Sequence, residues 1–447
     1  MSQRLRLWFN NNKTWIYMVQ YIVYSIILLI IVALVDANLW SIQDRLPRIL
    51  LMKVDLSKTL LTTMAGAFLT ISTFTFSTIL TVLNKYASSY SPRTVNNFIQ
   101  EKITMKILGI YIGGFFYSIC ALLLMRDAID ERQVIAGGVA IVYSVISIIY
   151  FVIFVQRVLR SMQGVNVISE IYEEALPLIR EEYKARSESS LHNAEATPYL
   201  TRIYSNNSGY LSLIDYETLA SRLKDQRGIF DIRVKLGDYV VKGFHIADLH
   251  LAEEMTFEDE EEKDEFFSNL ADCFLYEEEK FDEVDYRFNL DKLVEMTLTA
   301  LSPSTNDPNT AIHCIRKLAL LMGKLFQCPS YHVEKYNEDG LKIFYTGYSA
   351  EEDLYLTFYQ IHHYGKDDPS VLYALLEALY TVYMMSDPSN RHIAKTYADN
   401  MCRLAEEEHP NSWNLNRLKR LQEKFHIRDD KAVNQEVMDR GEEREEE

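Results

Sequence analysis

The sequence predicts a membrane α-helical protein with four transmembrane helices, followed by a cytoplasmic α+β region made of a small β-barrel or sandwich and a helical domain. Three observations predict it. Four long uncharged apolar stretches all begin and end before residue 160, and each approaches the roughly 20 residues that carry a helix across a hydrocarbon core. Charge divides the chain: residues 1–164 hold 15 Lys and Arg against 7 Asp and Glu, and the remainder holds 31 against 56. Beyond residue 200 the hydrophobic period shifts, first to short β-branched runs and then to helical repeats.

The spans are expected at about 15–37, 60–83, 107–126 and 134–157, within a domain covering 1–163. The first apolar run exceeds the roughly 7–15 residues of a secretory core and lacks a small-residue cleavage site, so it reads as an uncleaved span. An even number of spans puts both termini on one side. The flanks on that side carry Arg4, Arg6, Lys13, Lys85, Arg93, Lys102, Lys106, Arg157 and Arg160, against six basic residues in the opposite loops, which places both termini in the cytoplasm. Five scattered cysteines fit a reducing compartment. Gly109 and Gly113, four apart in the third span, suit close helix packing.

Residues 164–198 read as a helical extension, broken near Pro177, and a Ser/Asn-rich linker. Residues 199–252 read as the β-rich domain, with Asp215 capping a short helix inside it. The acidic run between Glu253 and Glu265 lacks the order of a calcium loop and reads as a solvated loop or helix end, with loose divalent-cation binding as the alternative. Residues 265–425 read as mainly helical, with a hairpin turning at Asp339-Gly340. Residues 426–447 read as an acidic disordered tail.

Composition excludes several functions. A strongly acidic second part repels nucleic acid and attracts cations. No Walker loop, dinucleotide fingerprint, HExxH or nucleophile elbow is present. Gly237-Asp238 has lipoyl-like spacing but no matching lysine, so no cofactor is expected. No metal site and no enzyme activity are expected either. No span carries a mid-membrane charge of the kind that marks pumps.

The second span is the feature with most functional content. Nine of its residues between 60 and 82 are Ser or Thr. Thr63, Gly66, Thr70, Thr73, Ser77 and Thr81 recur at intervals of three and four, so five hydroxyls share one helix face, which continues to Asn84. Two explanations stand. Such hydroxyls bond the carbonyl one turn back and pack helix against helix, or several copies bring these faces together around a neutral polar pore.

From Phe74 to Ile119 the sequence resembles a family of bacterial predicted membrane proteins, domain of unknown function 2254. The resemblance rests on Phe76-Ser77, Ser91-Pro92-Arg93, Gly237-Asp238, and Ala300-Leu301-Ser302-Pro303 followed by Asn306-Asp307-Pro308 and Thr310-Ala311. Thr305 departs from a position more usually apolar. The resemblance implies an inner-membrane protein with a cytoplasmic domain and implies no activity. It directs attention to two places. Ser91, Pro92 and Arg93 sit at the cytoplasmic mouth, where Arg93 either binds a lipid headgroup, pairs with an acidic residue, or anchors at the interface. Ser302, Asn306 and Asp307 form a loop that either caps a helix or binds a cation or ligand.

The sequence therefore leads to an oligomeric membrane pore, in an ion-channel role, in which the second helix lines the path and the acidic domain attracts cations or gates. Its partners are the bilayer, further copies of the chain, and inorganic ions. The alternative is a membrane-anchored sensor or scaffold whose cytoplasmic domain binds a ligand or partner protein.

Overall fold

The computed structural model describes residues 13–37, 47, 50–90, 102–125, 133–189, 198–224, 226–278, 280, 285–328, 331–338, 340–408 and 414–425. Ser91, Pro92, Arg93 and the expected tail 426–447 lie outside them. The chain divides into two compact units, Met1–Val167 and Ile168–Glu447.

Among its described residues the first unit contains four apolar helices long enough to cross a membrane: α1 (Lys13–Asp36), α2 (Val54–Ser89), α3 (Lys102–Leu124) and α4 (Ala136–Ser161). Helix α3 is central, with 56% of its apolar window buried, against 22–28% for the other three. It packs on α1, α2 and α4. Helix α2 exceeds the expected span at both ends. Its 36 residues extend about 54 Å, so it outruns a bilayer core of about 30 Å. A two-residue ribbon, β1 (Met52–Lys53) with β2 (Gln133–Val134), ties the starts of α2 and α4.

Close packing explains Gly109. A methyl there would sit 2.6 Å from the Met18 carbonyl oxygen and 3.1 Å from Tyr21 Cβ, so α1 and α3 approach only because that residue has no side chain. Polar groups inside the bundle bond across helices. Ser25 Oγ and Tyr143 Oη lie 2.9 Å apart, and the tyrosine hydroxyl also donates to the Ile110 carbonyl at 2.6 Å. Tyr117 donates to the Ala136 carbonyl at 2.9 Å. Asp36, at the end of α1, accepts from the Ile135 and Ala136 amides at 2.8 and 3.3 Å. Those amides open α4 and have no partner within their own helix.

Helix α5 (Gly164–Glu188) follows after Gln163. The expected break at Pro177 does not occur: the proline is inside α5 and exposed. The interruption falls at Met162-Gln163 instead, where Met162 caps α4 with bonds to its own last turn.

The second unit is mixed. Strands β3 (Tyr199–Tyr204), β4 (Gly209–Ile214), β5 (Gly228–Ile232), β6 (Tyr239–Val240), β7 (His245–Leu251) and β8 (Phe274–Glu277) are joined by helices α6 (Tyr216–Arg222) and α7 (Glu260–Ala271). Helices α8 (Tyr286–Leu301) and α9 (Pro308–Leu325) follow, then hairpin β9 (His332–Glu338) and β10 (Leu341–Thr346). The chain continues as α10 (Ala350–Gly365), α11 (Pro369–Met385) and α12 (Pro388–Glu408). Residues 414–425 form a last helix, α13.

Of the barrel or sandwich expected here, no closed barrel forms among the described residues. The strands lie in a five-stranded sheet ordered β3-β7-β5-β10-β9 and a three-stranded sheet ordered β6-β4-β8. Residues 199–252 alone would leave β5 at an edge with Phe230, Asp231 and Ile232 buried. The distant β10 covers that edge by pairing parallel to β5, which satisfies its backbone groups. Leu219, Phe230, Leu249, Leu270, Phe274 and Ile343 contribute to the core the two sheets share.

Local signals appear where the sequence puts them. Asp215 accepts from the Thr218 amide at 3.1 Å, and β9 turns into β10 at Gly340, whose φ is +84°. The acidic run begins α7: Asp259 is its N-cap, and Glu260, Glu261 and Glu262 fill its first turn, where carboxylates favour the helix dipole.

The packing yields a contrast between two glycines of the membrane unit. Gly109→Leu should destabilise the detergent-solubilised chain by about 1–3 kcal/mol through overpacking. Gly66→Leu, where a built methyl meets no atom beyond its own helix within 4 Å, should leave the thermal midpoint nearly unchanged.

Candidate functional site

The hydroxyl face of α2 is exposed along its whole length. Thr63, Gly66, Thr70, Thr73, Ser77, Thr81 and Asn84 are all exposed, while Leu61, Ala65, Phe68, Ser72, Thr75, Ile79, Val82 and Tyr86 are buried on the other side. Exposure by itself is ordinary in this unit. Its chemistry is not: the exposed residues of α1 include Val19, Val23, Ile26, Ile27, Ile30 and Ile31, and those of α4 include Ile141, Val142, Val145, Ile146, Ile149 and Val152. Aliphatic faces of that kind match lipid tails. Helix α2 presents hydroxyls, flanked by exposed Leu69, Phe74, Phe76 and Leu80.

Each threonine on the stripe bonds its own helix. Thr63, Thr70, Thr73 and Thr81 donate to the carbonyls of Thr59, Gly66, Leu69 and Ser77, all at 2.9 Å. The hydroxyl protons are thereby committed, and the oxygen lone pairs face outward as acceptors.

The Ser302–Asp307 loop joins α8 to α9. Ser302 ends α8, and its hydroxyl donates to the Thr299 carbonyl at 2.7 Å. Asn306 has φ +45°, a left-handed conformation that asparagine tolerates better than most residues. Asp307 caps α9, accepting from the Thr310 amide at 3.1 Å and from its hydroxyl at 2.6 Å. Those bonds hold its carboxyl below the usual range. Asp368-Pro369 starts α11 in the same way. A groove of about 320 Å³ runs between these two helix starts, lined by Leu301, Asn306, Pro308, Tyr364, Asp367 and Asp368. Two of the carboxylates near it are thus held by helix amides. Among the described residues, no three His, Cys, Asp or Glu side chains form a metal-ligating group.

A buried charge network, absent from the sequence reading, connects α5, α8 and α10. Arg186 donates from Nε to Glu182 at 2.8 Å and from Nη2 to the Tyr286 hydroxyl at 3.2 Å. That hydroxyl in turn donates to Asp353 Oδ2 at 2.8 Å. Arg287, only 2% exposed, meets Asp291 at 2.9 Å, the Thr357 hydroxyl at 2.7 Å and Asp353 Oδ1 at 3.7 Å. Burial pushes the Asp353 carboxyl up to about 6, with Arg186 and Arg287 opposing. A signal was available in "DYRFNLD": Arg287 and Asp291 are spaced i, i+4 inside an otherwise apolar helix start.

The profile of a family described as predicted membrane protein (DUF2254) matches residues 11–381. The chain belongs to this family. Its relatives include uncharacterized protein Mb1321c of Mycobacterium bovis and uncharacterized protein Rv1290c of Mycobacterium tuberculosis. Each is 25% identical over 344 residues, covering 74% of this chain and 65% of the relative. The chain thus spans slightly under two thirds of those relatives' length. No solved structure matches it. The matched region includes α2, Asp285, Arg287, the Ser302–Asp307 loop and Asp353.

Two substitutions test this geometry. Asp307→Ala should lower stability by about 1 kcal/mol through loss of the cap. Because the folded-state carboxyl titrates below its unfolded value, that contribution should be present at neutral pH and vanish as acid protonates Asp307. Arg287→Met should cost about 3–5 kcal/mol by leaving a buried carboxylate uncompensated, measured by denaturant unfolding of the full chain.

Proposed function

We propose that this DUF2254 protein forms an oligomeric membrane pore, an ion channel in which the hydroxyl faces of α2 from several copies line the path. One observation carries the reading. The seven residues of the polar stripe are all exposed within one subunit, so this face does not serve to pack α2 against its own neighbours. Lipid tails offer hydroxyl oxygens no hydrogen bonds, whereas a water-filled path does. Outward lone pairs form a neutral, acceptor-rich wall suited to cations. The acidic second part of the chain, 31 basic against 56 acidic residues, would raise the local cation concentration.

The proposal places the protein in a bacterial inner membrane with both termini in the cytoplasm, and it assigns no enzymatic step and no cofactor. Gly66, where a built methyl meets no atom beyond its own helix within 4 Å, faces the path in this reading. The alternative, a membrane-anchored sensor or scaffold, leaves the α2 faces apart or the bundle sealed.

Both readings are tested by cysteine substitution. Thr73→Cys and Ser77→Cys should form intersubunit disulfides in membranes under mild oxidation. Proteoliposomes should pass monovalent cations, with a several-fold loss on Thr73→Leu or Ser77→Leu. Cross-linking without flux in either the parent or the variants would favour the scaffold. Flux that ignores both leucines would remove α2 from the path.

A further inference from the structure

We propose that Asp285 is a proton-binding site, built where the loop between β5 and β6 meets the start of α8, and that loss of its proton loosens this junction. The inference rests on the second unit alone and does not depend on the pore reading.

Asp285 is the N-cap of α8 and is 7% exposed. Its Oδ1 accepts the Arg287 amide at 2.8 Å. Its Oδ2 is buried and has no hydrogen-bond partner among the described residues. The cation facing it, Lys280, is 3.9 Å away and lies closer, at 3.4 Å, to Asp291 Oδ2. The β5–β6 loop closes over the carboxyl: a methyl on Gly237 would lie 3.2 Å from Asp285 Oδ2 and 3.0 Å from Lys280 Nζ.

The charges around Asp285 are unequal. Arg287 and Asp291 face it from α8, Lys280 from the preceding segment, and Tyr345 and Tyr348 from β10 and the turn after it. Lys235 and Asp238 belong to the covering loop, and Glu352 and Asp353 to the first turn of α10. Lys235 binds Glu352 at 2.8 Å, Arg186 binds Glu182 at 2.8 Å, and Arg287 binds Asp291 at 2.9 Å. Among the described residues, Lys280 is then the cation left to Asp285 beside the already paired Arg287, and Lys280 is itself shared. Of the carboxylates in this region, Asp353 has the Tyr286 hydroxyl and Asp238 accepts the Lys235 amide at 2.8 Å. Asp353 Oδ1 is likewise without a hydrogen bond among the described residues, but the guanidinium groups of Arg186 and Arg287 both face that carboxyl, whereas Asp285 combines a bare buried oxygen with a distant, shared lysine. A proton on Oδ2 removes the charge that this site cannot compensate.

Burial accordingly pushes the Asp285 carboxyl up to about 7, although Lys280 and the Arg287 amide oppose the shift. The folded state therefore binds this proton more tightly than the unfolded chain. The stability it contributes is complete in acid, declines as pH rises from the ordinary carboxylate range, and is gone above about 7. Ionised Asp285 gains by opening its cover to water, so the loop at Gly237 and the first turn of α8 are what loosens.

Infrared titration of the full chain in detergent tests this. Ordinary carboxyl groups are already ionised above about pH 6. The carboxylic-acid carbonyl band should therefore persist in the parent protein at about pH 6 and disappear by about pH 8. Asp353, itself raised to about 6, contributes to the same band, so the assignment is read in the Asp353→Asn background. There, adding Asp285→Asn, which keeps a capping oxygen, should remove the transition and give a thermal midpoint that falls less between the two pH values. Lys280→Gln should keep the transition and move it to higher pH, and Asp353→Asn should retain it. No band in this interval, a band that survives Asp285→Asn in the Asp353→Asn background, or an unshifted midpoint in Lys280→Gln would each overturn the assignment.

Discussion

A polar group removed from water must be bonded by the protein, and the architecture of both units follows from how that requirement is met. In the membrane unit most of these groups are neutral, and the bonds run within one helix or to an adjacent one. Threonines of α2 return their protons to carbonyls one turn back. Where a helix begins inside the bundle, another helix supplies the acceptor: Asp36 of α1 holds the two amides that open α4. Tyr117 of α3 donates to the carbonyl of the first residue of α4. These bonds fix where α4 starts, and the ribbon between Met52 and Val134 fixes α2 beside it.

The second unit meets the same requirement with charges, and the consequence differs. A hydroxyl bonded within its own helix makes no demand on its neighbours, so the outer face of α2 remains available for contact. A buried guanidinium needs several partners from different elements. Arg287 takes them from α8 and α10, and Arg186 takes them from α5 and α8. The network therefore holds three helices in register. It also leaves little freedom to add or remove a charge, which is why the least compensated carboxylate in it, Asp285, is the natural place for a proton.

What could be read from the sequence was what short-range chemistry decides. The four spans, the caps at Asp215 and Asp307 and the turn at Gly340 each depend on residues within one or two turns of one another. The union of β5 with β10 does not: Gly228 pairs with Leu341 across more than a hundred residues, and no periodicity announces it. Asp285, Arg287 and Asp353 escaped for a second reason. Asp and Arg are almost always at the surface unless paired, and the pairing of Arg287 with Asp353 joins two helices separated by α9 and a hairpin. The motif residues gave a mixed return. Asp307 is explained by its cap, whereas Gly237 is explained by the carboxylate and lysine packed against it.

The face of α2 is best understood through what borders it. Leu69, Phe74, Phe76 and Leu80 are exposed beside the hydroxyls, so the surface combines a narrow polar strip with bulky apolar flanks. Lipid would solvate the flanks and leave the strip without hydrogen-bond partners, and water would do the reverse. A second copy of the same helix can satisfy both, with flank packed on flank and the small residues, Gly66 among them, turned toward the axis. Each copy would contribute the same outward lone pairs, so the wall gains acceptors in proportion to the number of subunits while remaining uncharged. A wall of that kind lowers the barrier to a partly dehydrated cation without binding it tightly, and conduction needs that balance.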